Sequence, residues 1–357
     1  MDSVLLSLSD LRSTFEFFHV LVPLYVPLVF LVSLAASFLL TPLARRAGVR
    51  LGFIDYPRAG ELQKVPLART GGYAIFAAFI IAIGLSFPLV PRFPDEYPRL
   101  LGLLLGAVII MPVAFVDDLK RLGPMPQLAA QVLVALVAIS LGVVIDNVAN
   151  PFGGIIPLPL WITVPFTLLW FVGMINTLNF IDTMDGLAGG ITAIAALVLF
   201  ARALHLGQYS IAVLSLALAG ACLGFLPYNL HPARVFMGTS GSMFLGYALA
   251  VLAVIGGAKI ATTLTVLSIP ILDTALVIAR RSLAGRSPFK GGDSAHLPHR
   301  MLAVGLPQPL IVFLLYALSI VLGYLALALS ATQKMVALGI MALVLGGAIA
   351  FVAYRNR

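Results

Sequence analysis

Charge is what this sequence has least of. Of its 357 residues only 10% are Asp, Glu, Lys or Arg, against 61% hydrophobic. An ordinary soluble domain carries about 25% charged and about 45–50% apolar residues. Mean hydropathy is +1.07, so too little charge is present to clothe a soluble globule of this size. Cysteine is nearly absent as well, with Cys222 alone. That excludes a disulfide scaffold and cysteine-rich zinc or iron–sulfur sites. Acids are outnumbered, 14 to 22 basic residues, for a formal charge of +8. In a soluble chain such an excess points to nucleic acid. In an apolar chain it marks the lysines and arginines of cytoplasmic loops, and no nucleic-acid partner is expected.

What the chain has instead is apolar runs. A helix needs about 20 apolar residues to cross the hydrocarbon. Eleven windows qualify, near 20–42, 71–91, 100–116, 128–146, 159–175, 186–204, 209–227, 241–258, 260–279, 308–331 and 333–354. Two are short, so the count is ten or eleven. The expectation is an all-α, polytopic membrane protein whose residues 1–357 form one membrane-embedded unit. Residues 1–19 lack a basic start, an apolar run and a small-residue cleavage site, so no signal peptide is expected. Alternate loops hold Arg45, Arg46, Arg50, Arg58, Lys64 and Arg69, then Lys120 and Arg121, then Arg234. They continue with Arg280, Arg281, Arg286, Lys290 and Arg300, and the tail adds Arg355 and Arg357. This bias puts those loops and the C-terminus in the cytoplasm and the N-terminus outside, in a plasma (inner) membrane. The cytoplasmic loops fall near 43–70, 117–127, 176–185, 228–240 and 280–307, and together they are expected to form the active site.

The few acids gather at that face. Asp117 and Asp118 close the third span, Asp182 and Asp185 lie between the fifth and sixth, and Asp273 is inside the ninth. An acid within a span is a functional candidate by default. The densest segment runs Asn176, Asn179, Asp182, Asp185, with a polar residue at every third position, then Gly186. On a helix, neighbours in such a row touch. Two amides and two carboxylates along a strip suit a hydrated Mg2+ ion and a diphosphate. A second segment carries Gly238, Thr239, Ser240, Gly241 and Ser242 ahead of a span, where free N–H groups favour an anion. By itself that turn reads as a plain loop. A third carries Arg286, Lys290, Asp293, His296, His299 and Arg300. Membrane anchoring explains its arginines but not its histidines, and arginine grips phosphate bidentately. His19, His205 and His231 are isolated and receive no role.

Together these segments resemble one family, the polyprenyl-phosphate N-acetylhexosamine-1-phosphate transferase superfamily (MraY/WecA type, glycosyltransferase family 4). The likeness rests on Asp117-Asp118-Leu119-Lys120 and on the N-x-x-N-x-x-D-x-x-D-G-L run from Asn176 to Leu187. It rests also on Phe236-Met237-Gly238 before Gly241-Ser242, on Pro270 with Asp273, and on His296 with His299. The resemblance implies transfer of a sugar phosphate from a UDP-N-acetylhexosamine to undecaprenyl phosphate or a similar lipid phosphate, with release of UMP. It implies Mg2+, or Mn2+ in its place, and a homodimer as a further association. Asp117, Asp118 and Asp182 would be catalytic, and Asn179, Asp182 and position 239 would hold metal. Asn176, Asp185, Gly238, Gly241, Asp273, Arg286, His296, His299 and Arg300 would contact substrate. Thr239 stands where the family carries an aspartate metal ligand, Pro298 where it carries a histidine, and Gln127 where it carries a lysine. The set is closer to the undecaprenyl-phosphate GlcNAc-1-phosphate branch of envelope glycan synthesis than to the phospho-MurNAc-pentapeptide branch.

Chemically, a lipid phosphate oxygen attacks the sugar-side phosphorus. Asp117 as base and Asp182 as covalent nucleophile are both open on sequence alone. Lipid phosphate has a second pKa near 6, so a base adds little. Two readings of other classes compete: a transporter, which puts its charges at mid-membrane in repeated halves, and a nucleotide-sugar-binding pseudoenzyme, suggested by Thr239.

Overall fold

The computed structural model describes residues 2–57, 63, 65–150, 154–256, 260–285 and 296–355; in 2–23 and near the C-terminus it describes backbone alone. The chain is helical almost throughout. Helix α1 (Asp2–Leu51) leads through a two-residue ribbon, β1 (Ile54–Asp55) with β2 (Leu67–Ala68), to α2 (Gly71–Leu89), α3 (Glu96–Lys120) and α4 (Pro124–Ser140). A second antiparallel ribbon, β3 (Asn147–Ala149) with β4 (Ile155–Pro157), precedes α5 (Leu160–Ile181). Then come α6 (Leu187–His205), α7 (Tyr209–Asn229), α8 (Gly238–Ile255), α9 (Ile260–Val266), α10 (Ser268–Leu283), α11 (Leu297–Ala303), α12 (Gln308–Ala328) and α13 (Ala331–Arg355).

Each of the eleven apolar windows meets helix, and fewer spans than the expected ten or eleven are found among the described residues. Among the described residues eight helices are long and apolar enough to cross a membrane, and α9 with α10 makes a ninth if taken as one bent span. The window 128–146 fails because α4 stops at Ser140 and the chain turns through Gly142 at φ +81°. The window 260–279 is broken at Leu267, and its two halves meet at 77°. Pro270 is tolerated in the first turn of α10 and would break a helix that ran straight through it. In α13 the described apolar stretch is short.

Helix α8 is the axis of the bundle, with all 18 of its residues buried. It packs against α2, α3, α5 and α6. Lipid tails are as apolar as leucine, so close packing rather than hydrophobicity holds helices together in a membrane. The sequence answers with small residues. A Cβ at Gly246 would come within 2.6 Å of Ile175 Cα on α5, and one at Gly106 would collide with the Tyr247 ring. That ring instead donates its hydroxyl to the Gly102 carbonyl at 2.6 Å. On α7, Gly220 and Gly224, four apart, let the α1 backbone in at Phe30 and Leu34. Ser33 seals that contact by donating to the Ala217 carbonyl at 2.6 Å.

At one end of the bundle α2 and α8 begin side by side. Gly71 N–H donates to Phe236 O at 2.9 Å and Gly72 N–H to Met237 O at 2.8 Å, while Phe236 N–H donates to Ala68 O at 2.8 Å. A Cβ at Gly72 would collide with the backbone of Gly241. Overpacking of this kind costs about 1–3 kcal/mol. Gly72→Ala is therefore expected to lower the thermal midpoint of the detergent-purified protein by several degrees. An unchanged midpoint would contradict this apposition.

Candidate active site

The site is assembled at that end from the close of α3, the close of α5, the turn 182–186, the start of α8 and the residues just after β2. The 117–127 and 176–185 segments expected as loops are mostly helix end. α3 continues through Lys120 and α5 through Ile181. Because α5 stops there, Asp182 and Asp185 leave the strip that the three-residue spacing suggests. Asn176 and Asn179 also part company. Asn176 spends both amide hydrogens on the scaffold, donating to Gln131 Oε1 at 2.7 Å and to Val172 O at 2.8 Å. Asn179 Oδ1 accepts from the Ser242 hydroxyl at 2.8 Å, tying α5 to α8.

The three acids expected to be catalytic have three different surroundings. Asp118 is saturated: its side chain is wholly inaccessible, and it accepts the N–H groups of Thr239 at 2.8 Å and Ser240 at 3.2 Å. The Tyr73 hydroxyl donates to it at 3.3 Å, and the Arg69 guanidinium lies 3.9 Å away. The start of α8, which the sequence offers as an anion site, is thus occupied by a carboxylate of this same chain. Gly238 permits the approach. Its φ is +77°, and a Cβ there would sit 2.7 Å from Arg69 O and 2.9 Å from Asp118 Oδ1. Asp117, also buried, accepts from Gln127 Nε2 at 2.8 Å.

Asp182 is the contrasting case. Among the described residues no donor is bonded to its carboxyl, whose pKa is pushed up to about 7. Burial is the main cause; Asp118 and Asp185 add to it and Arg69 opposes it. A carboxylate held among other acids without a donor is what a cation would relieve. No three His, Cys, Asp or Glu side chains form a metal cage among the described residues. Mg2+, however, asks for one or two carboxylates and takes its other oxygens from water and phosphate, and Asp182 fits that demand.

Asp185 is held from the 230–237 segment. Its Oδ2 meets His231 Nδ1 at 2.9 Å and accepts from Ala233 N–H at 3.1 Å. Gly186, at φ +80°, donates its N–H to Asn229 Oδ1 at 3.1 Å and accepts from the Tyr316 hydroxyl. Asp273 lies elsewhere, bonded to His296. Burial and His296 lower the pKa of His299, and Asp273 opposes the shift. Arg300 is exposed. Arg286, with Lys290 and Asp293, lies outside the described residues. Sequence reasoning passed over Arg69, Tyr73 and His231. Arg69 is counted there only as an orienting charge, and no periodicity links His231 to Asp185, 46 positions away.

The two environments predict opposite responses to substitution. Asp118→Ala strands two buried N–H groups, at about 1–3 kcal/mol each, and should lower the thermal midpoint markedly. Asp182 has a raised folded pKa, so the folded state holds its proton more tightly than the unfolded chain. Stability then falls as pH rises from about 4 to about 7. Without divalent cation, Asp182→Asn should flatten that decline and raise the midpoint at pH 8. Thermal scans between pH 5 and 8 check both. Equal destabilisation by the two variants would contradict this division of labour.

Residues 100–257 match the model of glycosyl transferase family 4. A probable undecaprenyl-phosphate N-acetylglucosaminyl 1-phosphate transferase of Bacillus subtilis is 32% identical over 317 residues, 85% of each chain. The decaprenyl-phosphate N-acetylglucosaminephosphotransferase of Mycobacterium tuberculosis is 34% identical over 318 residues, 81% of this chain and 78% of its own. A phospho-N-acetylmuramoyl-pentapeptide-transferase of Moorella thermoacetica is 39% identical over 165 residues, 43% of this chain and 48% of its own. With relatives above 30% identity along most of its length, this multi-pass chain belongs to glycosyl transferase family 4.

Proposed function

We propose that the chain transfers GlcNAc-1-phosphate from UDP-GlcNAc to a polyprenyl phosphate such as undecaprenyl phosphate, releasing UMP. The names of the B. subtilis and M. tuberculosis relatives support the sugar and the lipid. Pentapeptide-transferases are matched over 43% and 74% of this chain, less than the 85% and 81% of the GlcNAc-phosphate relatives, so that reading ranks second. Bias of lysine and arginine between loops supports a cytoplasmic site in the plasma membrane.

The observation that carries the reading is the difference between Asp182 and its neighbours. In the reaction an oxygen of the lipid phosphate forms a bond to the sugar-side phosphorus, and the bond from that phosphorus to the UMP oxygen breaks. The reactants are all anionic, so the site must offer positive charge without letting its own acids repel them. Asp118 is bonded to two N–H groups and Tyr73, with Arg69 3.9 Å away. Asp117 is held by the Gln127 amide. Asp182 alone of the three accepts no hydrogen bond among the described residues, and it would hold Mg2+ or Mn2+, with Asn179 and Thr239 as neutral oxygens at the end of α5 and the start of α8. Bound there, the ion supplies charge neutralisation to the diphosphate and to departing UMP. Arg69, near both Asp118 and Asp182, adds a fixed cation. Thr239 offers no charge, which leaves the ion dependent on Asp182 and on the substrate.

The test is purified protein with Mg2+, undecaprenyl phosphate and a panel of UDP-sugars, with UMP as the readout. UMP release with UDP-GlcNAc is expected. Asp117→Asn and Asp182→Asn should each reduce it by at least a hundredfold, about 2.7 kcal/mol in the barrier. Near-normal turnover by either variant removes that residue from the mechanism. Wild type that releases no UMP unless Thr239→Asp is introduced would make the natural chain a binder.

A further inference from the structure

We propose that Asp273 is a positioning residue that fixes the orientation and the tautomer of His296, and that it does not itself contact substrate. Asp273 lies on α10, beyond the 77° break from α9. Its two oxygens are both engaged. Oδ2 is 2.8 Å from His296 Nδ1, and Oδ1 accepts the Leu297 N–H at 2.8 Å. The two side chains are each 8% exposed, so water does not compete for the contact. A carboxylate has no proton to give, so Nδ1 of His296 carries the proton of this contact. Nε2 has no protein partner among the described residues.

The pair is joined to the candidate site by position. A cleft walled by α5, α6, α10, α11 and α12 has Ile181, Leu187, Asp273, Leu297 and Leu315 in its lining, and Ile181 directly precedes Asp182. The Phe180 ring of α5 lies 6.0 Å from the imidazole. Only four residues of helix separate Asp273 from Ser268, where α10 begins, so the break at Leu267 sets where the carboxylate stands. The Leu297 bond places the start of α11 on the same carboxylate, which brings His296 and His299 in as one piece. A second acid–imidazole pair, Asp185 with His231, has its histidine 43% exposed and lacks this enclosure.

The proposal rests on the transferase reading only for its kinetic consequence, so its test has an arm that needs no activity. Protein labelled with 15N-histidine in detergent micelles reports the tautomer of each imidazole, and His296→Gln assigns the His296 signals. Wild type should show the proton on Nδ1. Asp273→Asn keeps an acceptor for Leu297 N–H but can present an amide donor to His296, so the proton should move to Nε2 while the other histidines keep their signals. In the UMP assay the same variant should lower kcat roughly tenfold or more, the scale seen when an orienting partner of a functional histidine is lost. KM for UDP-GlcNAc should stay within about twofold. A wild-type proton on Nε2 alone, or a spectrum unmoved by Asp273→Asn, overturns the proposal. So does a tenfold rise in KM at unchanged kcat, which would make Asp273 a substrate ligand. If wild type releases no UMP, the transferase reading fails and the spectra still decide the role of Asp273. If Asp273→Asn does not fold, the wild-type tautomer decides it.

Discussion

The carboxylate of Asp118 stands where helix α8 begins. The first N–H groups of any helix lack partners inside it, and buried ones must find them elsewhere. Here the partner comes from α3, 121 positions away, through the bond to Thr239 N–H. One contact therefore locks the end of α3 to the start of the central helix, and Tyr73 and Arg69 bring the start of α2 to the same point. It requires a glycine at 238, with its positive φ, and glycines at 72 and 241, where α2 and α8 touch backbone to backbone. Remove the carboxylate, and the helices that carry Asp117, Asn179 and Thr239 lose their common reference.

The same contact sorts the acids electrostatically. A membrane-edge site handling several phosphate charges would gain nothing from three free carboxylates. Asp118 is absorbed by backbone dipoles and a guanidinium, and Asp117 by an amide. Asp182 has its charge disfavoured first by burial and then by Asp118 and Asp185. It is the group whose ionisation a cation would restore. Thr239 fits this scheme as well as departing from the family pattern. Its N–H serves Asp118, and an acid at that position would add a further negative charge beside it.

Much of the architecture can be read from hydropathy, because an apolar run of span length has few other fates. Each of the eleven windows meets helix. The overcount came where local chemistry outweighs the average over a window, at Gly142 and at the break before Ser268 and Pro270. At the site, acids and amides were recognised by type and spacing, but their roles depend on partners distant in sequence. Asn176 and Asn179 look equivalent three residues apart, yet one faces Gln131 and the other Ser242. Spacing also carried the strip past the end of α5, where Asp182 and Asp185 leave the helix. Arg69 and His231 gave no local signal. One blends into a basic loop and the other stands alone until the fold brings Asp185 to it.

The central claim is that Asp182 is the open carboxylate and that Asp118 is part of the scaffold. Electron paramagnetic resonance of Mn2+ titrated into detergent-purified protein with UDP-GlcNAc tests it most directly, because it counts bound ions without requiring turnover. Wild type should remove the free-ion signal, Asp182→Asn should restore it, and Asp118→Asn, if folded, should still bind Mn2+. Tight binding by Asp182→Asn together with loss of binding in a folded Asp118→Asn would contradict it.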